Sequence, residues 1–202
     1  MAGGFGATRR SSVKIVLASQ SPQRRDLLAG LGVRFEVVVP ATDELTRGDP
    51  RELVEANALA KAREVHRLTQ PGLVIAGDTE VVLDGEVLGQ PADEAQAREY
   101  LRALSGREHE VLGGLAVIQG DPAREVSGVE TSIVHFREID DPLLGAYIAS
   151  GEWQGRAGGY AVQGLGAALV DSVRGDLSNV IGLPVGLLAR LAPEVISAGA
   201  RT

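Results

Sequence analysis

Apolar and polar positions fall in blocks along the chain, and their period switches between that of a strand and that of a helix. Val13, Ile15, Val16 and Leu17 form an apolar run suited to a buried strand. Ser21 then stands as an N-cap with Pro22 at the first helical position. Leu27, Leu28 and Leu31 supply an inward face, and Gly30 or Gly32 ends the helix. Residues 35–39 predict a second strand, stopped by Pro40. Asp49-Pro50 opens a helix to about Leu68, with Leu53, Val54, Ala58, Ala62 and Val65 as its apolar positions. Residues 73–76 predict a short apolar strand that ends in Gly77-Asp78-Thr79. Asp84-Gly85 reads as a hairpin turn between residues 81–83 and 87–88. Asp93 caps the next helix with Gln96 as its capping-box partner, and Ser105-Gly106 stops it.

Two longer strands follow, at 110–119 and 129–137, joined through Gly120-Asp121-Pro122. A short helix at 142–149 leads into a glycine-rich, irregular stretch at 151–166. Gln163 lies there among alanine and valine, which predicts a packed amide that needs partners. A short strand at 167–171 and an amphipathic helix through Val185, Leu188, Leu191 and Ala192 complete the pattern, and the chain beyond Pro193 reads as a frayed end. Alternation early and antiparallel pairs later predict an α/β fold with a mixed sheet. There is no internal repeat and no low-complexity linker.

Composition narrows the function more than the fold. The chain has 202 residues, enough for one domain with a sizeable core or one domain with two lobes. No run of 18 apolar residues is present, so no membrane span is predicted. The N-terminal MAGGFGATRRSS has no apolar segment and reads as a tail, not a secretory signal. Without cysteine there are no disulfides, no thiolate catalysis and no cysteine-ligated zinc, and the expected compartment is the cytoplasm. A net charge of −7 argues against broad nucleic-acid binding but leaves room for a small anion held by a local basic pocket.

Candidate chemistry begins at the first helix. Arg24 and Arg25 occupy its opening turns, where a cation meets the positive end of the helix dipole. A bound anion resolves that conflict. Ser19, Ser21, free backbone N–H groups and the two guanidiniums would then form one phosphate cradle, while the bland alternative points both arginines to solvent. Thr42-Asp43-Glu44 after a strand is either a metal site or a solvated turn. Lys61 lies among alanines, with room to reach across a groove or to snorkel at the surface. Asp78 sits where α/β sheets gather ligands, beyond the end of a strand. Together with Arg156, these residues are the inventory of a metal-assisted phosphoryl-group enzyme, with Glu44 and Asp78 holding Mg²⁺.

Other motifs fail. GGFGAT at 3–8 has no preceding strand, no GxxxxGK[ST] loop exists, and His66, His109 and His135 lack close metal-ligand spacing. Trp153 and Tyr160 read as packing residues before base-stacking ones.

The segments LASQSPQRRDLL, ATDE, ENALAKA, VIAGDTEVVLDGEVLGQP, LRALSGREHEV and AGGYAVQGLGAALVDSVRGDLSNVIGLPV, in this order, resemble the Maf-like nucleoside triphosphate pyrophosphatases over about residues 15–188. The resemblance implies a two-lobed α/β protein with flanking helices, a twisted mixed sheet and a central substrate cleft. It implies a flexible tail at 1–12, one catalytic domain at 13–193 and a C-terminal tail at 194–202, in a chain that is often a homodimer. The implied reaction is hydrolysis of a nucleoside triphosphate at the α-phosphorus to monophosphate and diphosphate, assisted by Mg²⁺ or Mn²⁺. Asp78 matches the family's proton acceptor, Glu44 its metal-holding carboxylate, Ser19 and Arg24 its phosphate-binding pair, and Lys61 the lysine of the long helix. Thr79 and Gln163 match base-reading positions of the dTTP/UTP type. Three positions depart from the family pattern: Gln23 replaces a specificity arginine, Gln90 a lysine, and Arg156 a lysine, with its charge kept and its geometry changed. The YAVQG segment favours dTTP and UTP. The alternatives are a different base preference, or a nucleotide-binding regulatory module with little catalysis.

Overall fold

A computed structural model describes residues 14–69 and 72–200. The expected tail at 1–12 lies outside the described residues. The elements run β1 (Ile15–Ala18), α1 (Pro22–Gly30), β2 (Glu36–Val38), α2 (Pro50–Thr69), β3 (Leu73–Leu83), β4 (Glu86–Leu88), α3 (Glu94–Leu104), β5 (Glu108–Gln119), β6 (Arg124–Phe136) and α4 (Asp141–Ser150). Two 3₁₀ turns follow, Ala157–Gly159 and Gly164–Ala168, then β7 (Val170–Arg174), α5 (Leu177–Ile181), α6 (Val185–Leu191) and α7 (Pro193–Gly199).

The seven described strands form one mixed sheet in the order β2-β1-β3-β5-β6-β7, with β4 also paired to β3. β1 runs parallel to β2 and β3, and the remaining pairs are antiparallel. Successive side chains on a strand point to opposite faces, so each face collects its own core. On one face, Val16, Ala18, Val74, Ala76 and Ala116 meet Ala58, Ala62 and Val65 of α2. On the other, Leu17, Ile75 and Leu115 meet α1, α6 and α7 through Leu28, Leu188 and Val195, while Val81, Val111 and Phe136 meet α3 and α4 through Leu101, Leu104 and Leu144. Each fully buried leucine, isoleucine or valine here contributes roughly 1.5–3 kcal/mol by leaving water.

Small residues bring α2 unusually close. Alanine faces alanine across that interface, and a Cβ on Gly114 would overlap the Val54 carbonyl. The close approach lets polar side chains of α2 reach the sheet.

Three expectations are corrected. The strand expected at 73–76 does not stop at Gly77. β3 continues unbroken to Leu83 because β5 pairs with it from Leu73↔Gln119 through Val82↔Glu110. Asp78 therefore lies within a strand, opposite Gly114, and not in a loop beyond one. The strand expected at 167–171 lies later, at Val170–Arg174, where β6 offers an edge, and its forerunner is a 3₁₀ turn. The frayed end expected at 194–202 is a helix as far as Gly199, with Pro193 at its start and Val195 fully buried. Residues 201–202 lie outside the described residues.

Candidate active site

A gap in the sheet edge organises the site. β1 pairs with β3 only as far as Ala18↔Ala76, and β4 takes up the same edge only from Val81↔Leu88. Between them, residues 77–80 have no strand partner on that side among the described residues. Thr79 and the groups around Gly77 face one side of the sheet; Asp78 and Glu80 face the other.

α1 supplies the first side of the gap. Ser21 caps this helix by accepting from the Arg24 N–H at 3.4 Å, and its own N–H donates to Ser19 Oγ at 3.1 Å. The Arg24 side chain folds back from the first turn onto the strand. It donates through Nε to Gly182 O at 2.9 Å, through Nη1 to Ser19 Oγ at 3.3 Å and through Nη2 to Thr79 Oγ1 at 3.0 Å. Gly77 makes this possible, since a Cβ there would sit 3.3 Å from Arg24 Nε. All three partners are neutral. Desolvation by the surrounding groups lowers the guanidinium from its ordinary value, and the charges of Asp78 and Glu44 act the other way. Arg24 is thus a partly buried cation with no carboxylate in contact among the described residues.

α2 supplies the second side. Asn57 and Lys61, four residues apart, share one helical face and both reach Asp78. Lys61 Nζ lies 2.8 Å from Asp78 Oδ1 and 2.5 Å from Glu44 Oε1, and Asn57 Nδ2 donates to Asp78 Oδ2 at 3.0 Å. Asp78, Lys61 and Asn57 are 6%, 7% and 3% exposed, so these contacts are shielded from water. Lys61 is therefore a buried partner of two carboxylates and not a snorkelling surface residue. Glu44, on the loop after β2, stays half exposed. Glu80 completes the group. Burial, with Asp78 and Glu44 adding repulsion and Lys61 opposing, raises its carboxyl to about 7.

Other expected residues lie apart from these contacts. Arg25 is exposed and pairs with Asp26 at 3.5 Å. Gln23 Oε1 accepts from Ser21 Oγ at 2.9 Å, and Gln90 is exposed. Arg156 is half-buried in the turn before Ala157–Gly159, with no side-chain contact to Asp78 or Arg24 among the described residues. Gln163 is exposed and makes no side-chain capping bond, which corrects the packed amide expected for it. The glycine-rich segment turns Tyr160, not Gln163, inward. Tyr160 OH bonds His109 Nε2 at 2.7 Å and packs edge-on against His109 and Phe136. Burial lowers the His109 imidazole to about 4, so this ring is neutral at working pH.

The donor set also bears on a metal ion. No group of three or more histidine, aspartate or glutamate side chains converges for a metal among the described residues. Glu44 and Asp78 offer hard oxygens from two elements brought to one point. Mg²⁺ is commonly held by one or two carboxylates, with water and substrate phosphate oxygens completing its shell, so this set fits.

Asn57 and Glu80 are the site residues that sequence reasoning missed. Each stands at the spacing that shares a face with an expected residue: two from Asp78 on a strand, and four from Lys61 on a helix.

The sequence model of the Maf-like protein family matches residues 14–195. A dTTP/UTP pyrophosphatase of Ruminiclostridium cellulolyticum is 42% identical over 90% of this chain and 95% of its own. One from Symbiobacterium thermophilum is 43% identical over 93% and 98%, and one from Anaeromyxobacter dehalogenans 47% over 88% and 92%. With a match that spans the sheet, the gap and both helices beside it, the chain belongs to the Maf-like protein family.

Proposed function

We propose that this protein is a nucleoside triphosphate pyrophosphatase that hydrolyses dTTP and UTP to the monophosphate and diphosphate. The observation that carries the reading is the charge arrangement about residues 77–80. A cation without an acidic partner, Arg24, stands on one side; an acidic group held by a single lysine stands on the other. A triphosphate with its divalent cation is complementary to both at once.

Arg24, Ser19 and Ser21 would bind phosphate oxygens at the start of α1, and Lys61 would approach them from α2. Arg25 and Arg156 would add charge from outside this group. Glu44 and Asp78 would hold Mg²⁺ or Mn²⁺, which when bound supplies charge neutralisation at the phosphates. Asp78 would take the proton of the attacking water. Each carboxylate oxygen has two acceptor sites, and Lys61 and Asn57 use one on each oxygen, so capacity remains. The water oxygen bonds to the α-phosphorus, the bond from that phosphorus to the bridging oxygen breaks, and diphosphate leaves. Thr79, with Gln163 and Gln23, would read the base.

The same reading takes the gap as the mouth of a cleft between two lobes. Two separate buried clusters on one face of the sheet support it. One catalytic domain at 13–193 and a homodimer belong to this reading on family resemblance, and a cytoplasmic setting belongs to it on the cysteine-free composition. No described helix is long and apolar enough to cross a membrane.

The test is hydrolysis of dTTP in ¹⁸O-water with Mg²⁺. Expected products are diphosphate and labelled monophosphate, and Asp78→Asn is expected to retain the fold and lose about 10²–10⁴-fold in rate. Release of single phosphate, or full activity in Asp78→Asn, would overturn the assignment. Tight binding of dTTP without turnover would select a regulatory nucleotide-binding module instead.

A further inference from the structure

The acidic side of the gap depends on a residue that bonds none of the proposed phosphate-binding side chains. Asn57 is 3% exposed and uses its carboxamide at three points. Its Oδ1 accepts from the Leu45 N–H at 2.8 Å, and its Nδ2 donates to Leu45 O at 3.0 Å and to Asp78 Oδ2 at 3.0 Å. The orientation of the amide is set by these partners. A flipped amide would turn its oxygen toward a carbonyl and a carboxylate and its NH₂ toward an N–H. Leu45 follows Glu44 directly, so a two-point grip on the Leu45 backbone also places Glu44, whose Oε1 meets Lys61 Nζ at 2.5 Å. Lys61 lies one turn further along the same face of α2 and meets Asp78 Oδ1. Asn57 and Lys61 thus act as two rungs of one ruler, one fixing the loop by its backbone and the other by its carboxylate.

We infer that Asn57 is a positioning residue that couples the Glu44 loop to Asp78, so that the two carboxylates present a preformed half-site for a divalent cation. This rests on the roles proposed above for Glu44 and Asp78. Without the amide, the loop keeps a tie to α2 at its start, where Glu64 holds Ala41 and Thr42, but loses its backbone anchor at Leu45 beside Glu44, while Asp78 keeps Lys61 as its side-chain donor among the described residues. Lys61 alone cannot replace the anchor, since it grips a half-exposed side chain and not the backbone. Partners that orient metal ligands typically carry about 10–100-fold in metal affinity or rate.

The experiment compares wild type, Asn57→Leu, Asn57→Asp and Asp78→Asn. Three readouts are taken: amide exchange at Leu45, Mn²⁺ affinity of the nucleotide-free protein by electron paramagnetic resonance, and steady-state dTTP hydrolysis. In Asn57→Leu, Leu45 exchange is expected to speed up at least about tenfold, Mn²⁺ to bind roughly tenfold more weakly, and kcat to fall roughly 10–100-fold. KM for dTTP at saturating metal is expected to stay within about twofold, because Arg24 and Ser19 are untouched. Asn57→Asp keeps the volume and the acceptor for the Leu45 N–H but sets a carboxylate against Asp78. It decides the question if Asn57→Leu does not fold, with the same weakening of kcat expected. Folded variants with unchanged Mn²⁺ affinity and Leu45 exchange overturn the inference. So does a fall in kcat accompanied by an equal rise in dTTP KM. Wild type without diphosphate release would defeat the functional reading, while the Mn²⁺ and exchange measurements would still decide the role of Asn57.

Discussion

The two sides of residues 77–80 are built on opposite electrostatic plans. On the α1 side, Arg24 is surrounded by a hydroxyl of Ser19, a hydroxyl of Thr79 and the carbonyl of Gly182, none of which cancels its charge. On the α2 side, Glu44, Asp78 and Glu80 share the single charge of Lys61. Neither arrangement favours folding by itself. One leaves a cation short of an anion, the other leaves anions short of a cation, and β3 stands between them, so that the two sides feel each other's charge without direct contact. Under the proposed function, this excess charge on both sides is what a guest carrying both signs would neutralise.

The largest expected effect breaks the symmetry of the two cations. Lys61→Met leaves two carboxylates without their cation, Asp78 keeping only the Asn57 amide, and is expected to destabilise the fold by about 3–5 kcal/mol. Arg24→Met loses hydrogen bonds to neutral groups while relieving an unpaired charge, so its cost is expected at about 1 kcal/mol or less. Both should abolish most turnover. Urea unfolding of the two variants checks this, and equal losses of stability would show that Arg24 is paired after all.

A smaller effect concerns Glu80. Its carboxyl titrates near 7 in the folded protein and near 4.5 when unfolded. Between those values the native state binds more protons, so stability falls as pH rises through that window and the whole cost is present above pH 7. Glu80→Gln is therefore expected to be more stable than wild type at pH 8 by roughly 1–3 kcal/mol, with most of that gain lost at pH 5. Denaturant midpoints at the two pH values, without metal, give the answer. The same gain at both would mean that packing, not charge, is responsible.

The finest test separates the sides by ligand. Mg²⁺ alone should raise the melting temperature of wild type by a few degrees, and Glu44→Gln should blunt that shift while Arg24→Met preserves it. Inorganic diphosphate should show the reverse pattern. A ligand whose shift is lost equally in both variants would place it across both sides.

The sequence discloses the two sides unequally. Arginines in an opening helical turn mark a local conflict that needs no tertiary knowledge, but which of the two turns inward is settled by the fold, and the alanines around Lys61 leave snorkelling and burial both open until Asp78 is placed beside it. The role of Asn57 depends on a loop twelve residues back in the chain, and no propensity encodes that distance. Asp78 was expected beyond a strand because Gly77 and polar neighbours look like punctuation. The ten-residue ladder with β5 overrides that local preference. Gln163 misleads in the opposite way: apolar neighbours suggest burial, but positive-φ glycines at 158, 159 and 164 set the course of the chain, and Tyr160 takes the interior place.

The missing strand partner at 77–80 has an architectural consequence. β1 stops at Ala18, and α1 begins at Pro22, so a three-residue joint turns the chain away before it can continue along β3. Lengthening that joint by two extended residues would let β1 zip further down its neighbour. The sheet would become more regular, and the gap at 77–80, the mouth of the proposed nucleotide cleft, would be closed by backbone. If the proposed function holds, the short joint between Ala18 and Pro22 is what keeps the sheet interrupted there, and an insertion in it is expected to cost activity.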